Sequence, residues 1–114
     1  MLEVSADGGR VLCRVDDVPD GGAIAVDIAS STGGFNLILL RRGERIFAYH
    51  NECPHAGRRL DWAPGKFLVK DATVICAAHG ATFDVTSGAV IAGPCRNGLV
   101  PMPLQVVDGV VQLP

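Results

Sequence analysis

The chain has 114 residues, with 10 lysines and arginines against 12 aspartates and glutamates and a formal net charge of −2. With no basic stretch to offset that balance, nucleic acid is not an expected partner, and runs such as Leu37-Ile38-Leu39-Leu40 are far too short to span a bilayer, so no membrane is expected either. A hydrophobic fraction of 48% beside 19% charged residues is ordinary for a folded globule, and the length fits one domain over residues 1–114.

The apolar stretches are short and are separated by turn signals at Pro19-Asp20-Gly21-Gly22, Gly33-Gly34, Arg42-Gly43-Glu44, Thr86-Ser87-Gly88 and Asp108-Gly109. That rhythm predicts an all-β fold. In chain order, strands are expected at residues 11–15, 23–28, 35–41, 45–49, 66–69, 73–75, 82–85, 89–91, 102–107 and 110–113. Residues 60–62 could form a short helical turn, and no longer stretch has helical periodicity. Within the first strand Cys13 reads as a packed thiol. There are no internal repeats and no low-complexity segment.

Two loops interrupt this scaffold, each following a strand: Cys53-Pro54-His55-Ala56-Gly57 after residues 45–49, and Cys76-Ala77-Ala78-His79-Gly80 after residues 73–75. Spacers of one or two residues put a thiol and an imidazole on a single tight turn. Two cysteines and two histidines suit either one zinc ion with four ligands or an iron-sulfur cluster with two histidines on one iron. Zinc predicts a colourless protein.

Cys-x-His, a gap and Cys-x-x-His-Gly resemble the Rieske 2Fe-2S proteins. The flanks agree with that resemblance: Asn51-Glu52 before the first loop, Phe83-Asp84 after the second, and Gly93-Pro94, where the family places a proline-containing loop over the cluster. The likeness runs from residue 11 to residue 113 and is strongest to the small soluble Rieske ferredoxins. The stretch between the loops, residues 56–75, is a little longer than is usual in the family. The resemblance implies small antiparallel sheets with a cluster-binding subdomain made by the two loops. It implies a Rieske 2Fe-2S cluster held by Cys53 and Cys76 on one iron and His55 and His79 on the other.

Two ferric ions, two sulfides and two thiolates sum to zero charge, so an electron is accepted more readily than by a four-thiolate cluster, within about −150 to +300 mV. The neighbouring residues point to the lower end. Rieske subunits of cytochrome bc complexes carry a disulfide between the loops, and Arg58 and Ala78 stand at the matching positions here. They also carry a serine and a tyrosine that donate to cluster sulfurs, where this chain has Ala81 and Phe83, neither with a donor.

By resemblance the function is electron transfer from a reductase to a ring-hydroxylating or related oxygenase, without catalysis by this chain. The alternative is a redox-sensing or regulatory subunit, which Cys95, beside Gly93-Pro94, would favour. Arg58, Arg59, Lys66 and Arg96 near the loops could dock an acidic partner, Trp62 reads as a packing residue, and His50 as a surface or hydrogen-bonding residue. Met1-Leu2-Glu3-Val4 shows no secretory pattern, and two of the four cysteines are committed as ligands, so the cytoplasm is the expected location.

Overall fold

In the computed structural model, residues 3–4, 10–30, 33–54, 59–77, 80–93 and 97–114 are described. Their strands are β1 (Glu3–Val4), β2 (Arg10–Arg14), β3 (Ala23–Ser30), β4 (Gly33–Arg42), β5 (Arg45–His50), β6 (Leu68–Lys70), β7 (Thr73–Ile75), β8 (Thr82–Asp84), β9 (Val90–Ala92), β10 (Gln105–Val107) and β11 (Val110–Leu113). A 3-10 turn, Val15–Asp17, follows β2. All pairings are antiparallel and form three small sheets, ordered β1-β2-β11-β10, β3-β4-β5 and β6-β7-β8-β9.

The middle sheet explains the aliphatic run at residues 37–40. Successive side chains of a strand point to opposite faces, and here both faces are covered, so all four residues are fully buried. Leu37 and Leu39 enter one core with Val15, Val18, Ile28, Ala48 and Val111. Ile38 and Leu40 enter the other with Tyr49, Val74, Phe83, Val85 and Leu99. β4 is therefore the shared wall between two cores, and the second of these carries the two loop cysteines, Cys53 and Cys76.

The all-β expectation holds, and residues 73–75 and 110–113 form strands with the expected bounds. The differences have local causes. Val15 leaves β2 for the 3-10 turn, where the Asp17 carboxylate accepts from the Arg14 amide at 2.8 Å. Lys66 lies outside β6 because its carbonyl and amide close a tight turn with Trp62 and Ala63. Residues 102–104 are not strand: Pro101 and Pro103 have no amide to donate, and one bond, Met102 N–H to the Ala48 carbonyl at 2.9 Å, holds the segment to β5. Residues 60–62 form a bend without helix. Cys13 is half-buried against the first core, and burial, with Asp17 adding to it, pushes its thiol up to about 11. No helix among the described residues is long and apolar enough to cross a membrane.

Candidate metal centre

β5 delivers the first loop and β7 the second. As β5 ends, the His50 amide donates to the Val100 carbonyl at 2.9 Å and the Asn51 amide to the Asn36 carbonyl at 2.9 Å, so the chain is held on both sides before it turns toward Cys53. On the second loop the Cys76 amide donates to the Ala81 carbonyl at 2.7 Å and the Gly80 amide to the Cys76 carbonyl at 2.9 Å. These two bonds hold Cys76 against Gly80 and Ala81, and Gly80 takes a left-handed φ of +73°. A third bond ties the loops together: the Ala77 amide donates to the Leu60 carbonyl at 3.2 Å.

The two thiols lie in the same core. Cys53 and Cys76 are both 0% exposed, and both belong to the core that contains Leu60, Ala81 and Phe83. Two soft sulfur donors buried in one core, the second on a hydrogen-bonded turn, fit an iron-sulfur cluster or zinc. His55, His79 and Cys95 lie outside the described residues, as do Arg58, Ala78, Pro94 and Arg96. The structure thus brings together the two expected sulfur ligands, and it places Ala81 and Phe83 in the same core as both.

Gly93 presses on the second loop. A Cβ at this position would lie 2.6 Å from the Ala81 Cα and 3.2 Å from the Gly80 carbonyl oxygen, at a φ of +97°. Only glycine lets the chain after β9 approach the 76–81 turn so closely. The sequence motif Gly93-Pro94 therefore has a steric basis at its first residue.

Beyond the first loop, Arg59 and Asp61 form a two-pronged ion pair, with Arg59 Nε donating to Asp61 Oδ1 at 3.0 Å and Nη2 to Oδ2 at 2.7 Å. The carboxylate also accepts the Gly65 amide at 3.0 Å and Asn51 Nδ2 at 3.4 Å, and its side chain is only 2% exposed. Hydrogen bonding from Arg59 holds Asp61 below its ordinary value of 3.8, with smaller help from Gly65 and against the opposing effect of burial. A depressed carboxylate stabilises the fold fully above its ordinary value and loses that contribution as pH falls through its folded value. Because Arg59 is half exposed, the contribution is roughly 1 kcal/mol. Denaturant midpoints compared across pH for the wild type and Asp61→Asn should differ at pH 6 and converge as pH falls below 3.8 and through the folded value of Asp61; a gap that does not narrow in acid contradicts this role.

Trp62 departs from expectation. It is 61% exposed and does not pack, because the Trp62 amide and Lys66 carbonyl close a turn that projects from the surface. His50 lies against Phe35 with ring centroids 5.2 Å apart, and with Glu52, Pro54 and Val100 it lines a depression of about 240 Å³ beside the first loop. A cavity of about 590 Å³ lies elsewhere, between the β4-β5 and β6-β7 turns near Arg42, Arg45 and Asp71. It is at the opposite end of these strands from the cysteines.

Comparison with known proteins agrees with this geometry. A family model described as the Rieske [2Fe-2S] domain matches residues 9–107. The 3-phenylpropionate/cinnamic acid dioxygenase ferredoxin subunit of Escherichia coli (strain K12) is 30% identical over 97 residues, covering 85% of this chain and 84% of that protein. Among solved structures, the Sphingomonas yanoikuyae B1 ferredoxin is similar with a TM-score of 0.71 and 28% identity, over 90% of this chain and 94% of that one. The ferredoxin of carbazole 1,9a-dioxygenase from Nocardioides aromaticivorans IC177, at 23% identity and a TM-score of 0.71, covers 91% of this chain and 94% of its own and shares the fold.

Proposed function

The chain belongs to the Rieske [2Fe-2S] domain family, and from that premise we propose that Cys53, His55, Cys76 and His79 hold its cluster and that the protein carries single electrons from a reductase to an oxygenase. Family membership decides between the two metal readings in favour of the 2Fe-2S cluster. The observation that carries the ligand assignment is that Cys53 and Cys76, just past the ends of β5 and β7, are both fully buried in one core. The histidines follow from their places in the motif, one or two residues beyond each cysteine. The cluster supplies reversible one-electron chemistry at an iron with imidazole ligands. The chain supplies a rigid seat: two loops anchored to strands and to each other by backbone bonds, so a change of charge needs little rearrangement.

Similarity to dioxygenase ferredoxin subunits over most of both chains supports a reductase and an oxygenase as the partners. The commitment of two cysteines as ligands supports the cytoplasm, where thiols stay reduced, and residues 1–114 act as one domain. The redox-sensing alternative rests on Cys95, which lies outside the described residues, and no other observation favours it. Visible absorption and EPR of the dithionite-reduced protein test the assignment: a coloured protein with a Rieske spectrum supports it, and a colourless zinc protein ends it.

Docking is assigned to the surface around Trp62, whose exposed ring stands beside the exposed Lys66 and the Arg59-Asp61 pair. Aromatic anchors of this kind dominate the energy of many interfaces. Trp62→Ala is expected to lower kcat/KM for electron delivery to the partner by about tenfold, an effect near 1.4 kcal/mol. The unfolding temperature and absorption spectrum should be unchanged, because the ring contributes little to the core. Delivery at the wild-type rate moves the docking surface elsewhere.

A further inference from the structure

The buried side chain of Asn51 joins the chain just before the first cluster loop to the chain just after it. It is 5% exposed, two residues before Cys53, and its Oδ1 accepts the Leu60 amide at 2.9 Å. That bond spans residues 52–59 and closes them into a ring. Its Nδ2 donates to Asn36 Oδ1 on β4 at 2.8 Å, and Asn36 Nδ2 donates in turn to Asp27 Oδ1 on β3 at 2.8 Å.

The direction of every bond in this chain is forced. The Leu60 amide can only donate, so the oxygen of Asn51 must face it and the nitrogen must face Asn36. Asn36 then presents its oxygen to Asn51 and its nitrogen to Asp27, and an ionised carboxylate only accepts. Reversing either amide would leave a donor facing a donor or an acceptor facing an acceptor. Beyond Leu60 the same line continues, since the Leu60 carbonyl accepts the Ala77 amide at 3.2 Å, one residue past Cys76. A single relay therefore runs from β3 through Asn36, Asn51 and Leu60 to the second loop.

We propose that Asn51 is the positioning residue of the metal centre, clasping the first loop shut and transmitting the rigidity of β3 and β4 to both cysteine-bearing turns. This rests on the ligation by Cys53 and Cys76 proposed above. Asn51 has no ligand role and acts only by fixing where the ligands sit. Outer residues that orient ligands typically change metal affinity by about 10- to 100-fold when removed.

The holoprotein carrying Asn51→Ala should lose its cluster to a chelator at least about tenfold faster than the wild type. Its Leu60 amide should lose protection from hydrogen exchange, and the EPR lines of the reduced form should broaden as the ligands sample more positions. Asn36→Ala, a milder change at a residue remote in sequence from the ligands, keeps the test decisive if Asn51→Ala does not fold. It should also speed cluster loss and broaden the lines. Asn36→Asp combined with Asp27→Asn keeps every donor facing an acceptor and should restore the wild-type lifetime. Wild-type cluster lifetimes in both alanine variants overturn the proposal. So does a lowered unfolding temperature with an unaltered line shape, which is what a scaffold role alone would give. A wild-type protein with no Rieske spectrum overturns the ligand assignment itself and this inference with it, and is recognisable before any variant is made.

Discussion

Cys76→Ala is expected to abolish the metal centre and to divide the unfolding of the protein into two steps. Cys76 is fully buried and shares its core with Cys53, Leu60, Val74, Ala81 and Phe83. Truncating a thiol removes one heavy atom from that core, on the order of 1 kcal/mol if nothing else changed. Losing the cluster matters more, because metal binding and the folding of its site are linked. The sheet β6-β7-β8-β9 is the part exposed to that loss: each of its strands is three residues long, and its core is the one that holds the cysteines.

The β3-β4-β5 sheet has longer strands and a second core around Val18, Leu37, Leu39 and Val111 that contains neither loop cysteine. It should therefore outlast its neighbour. The expected variant is colourless and iron-free, with hydrogen exchange fast across residues 68–92 and slow across β3, β4 and β5. A coloured Cys76→Ala protein with wild-type iron content would remove Cys76 from the ligand set.

The same division explains what could be read from the sequence. Turn signals and alternating apolar residues are local, so most strands were legible to within a few residues, and the cysteine-histidine loops were legible because each ligand pair lies within a few positions. The run Leu37-Ile38-Leu39-Leu40 reads as a strand but not as a wall between two cores, since coverage of its second face depends on β6–β9, far along the chain. Residues 60–62 look helical in isolation. Their bend is fixed instead by Asn51, which accepts from the Leu60 amide, and by Asp61, which binds Arg59 and Gly65.

Trp62 was misread for a related reason. A tryptophan in an apolar context packs far more often than it projects, and only the turn closed with Lys66 turns it outward. Asn51 carried no signal beyond its place beside the motif, because a side chain that spans nine residues to meet a backbone amide has no periodicity. The parts hidden from the sequence are thus the long-range polar bonds that hold the loops, and these are what an electron carrier with a fixed cluster geometry needs.

Phe83→Tyr is expected to raise the reduction potential by about 60 mV. Phe83 is fully buried in the core that contains both cysteines, and neither it nor Ala81 can donate a hydrogen bond. A tyrosine hydroxyl placed there must find an acceptor or remain unsatisfied at a penalty of about 1–3 kcal/mol, and with Cys53 and Cys76 as ligands of the proposed cluster their sulfurs would be the negatively charged acceptors of that core. Reduction adds negative charge, so a donor to sulfur favours the reduced state more than the oxidised one. If the difference is about 1.4 kcal/mol, at the low end for bonds to charged groups, a one-electron couple moves by about 59 mV. The wild type, without this donor, is accordingly expected toward the lower part of the Rieske range of about −150 to +300 mV. Protein-film voltammetry on both proteins at one pH measures the shift. A potential that does not move, or a wild-type value near the top of the range, would show that the missing hydroxyls do not set the potential of this centre.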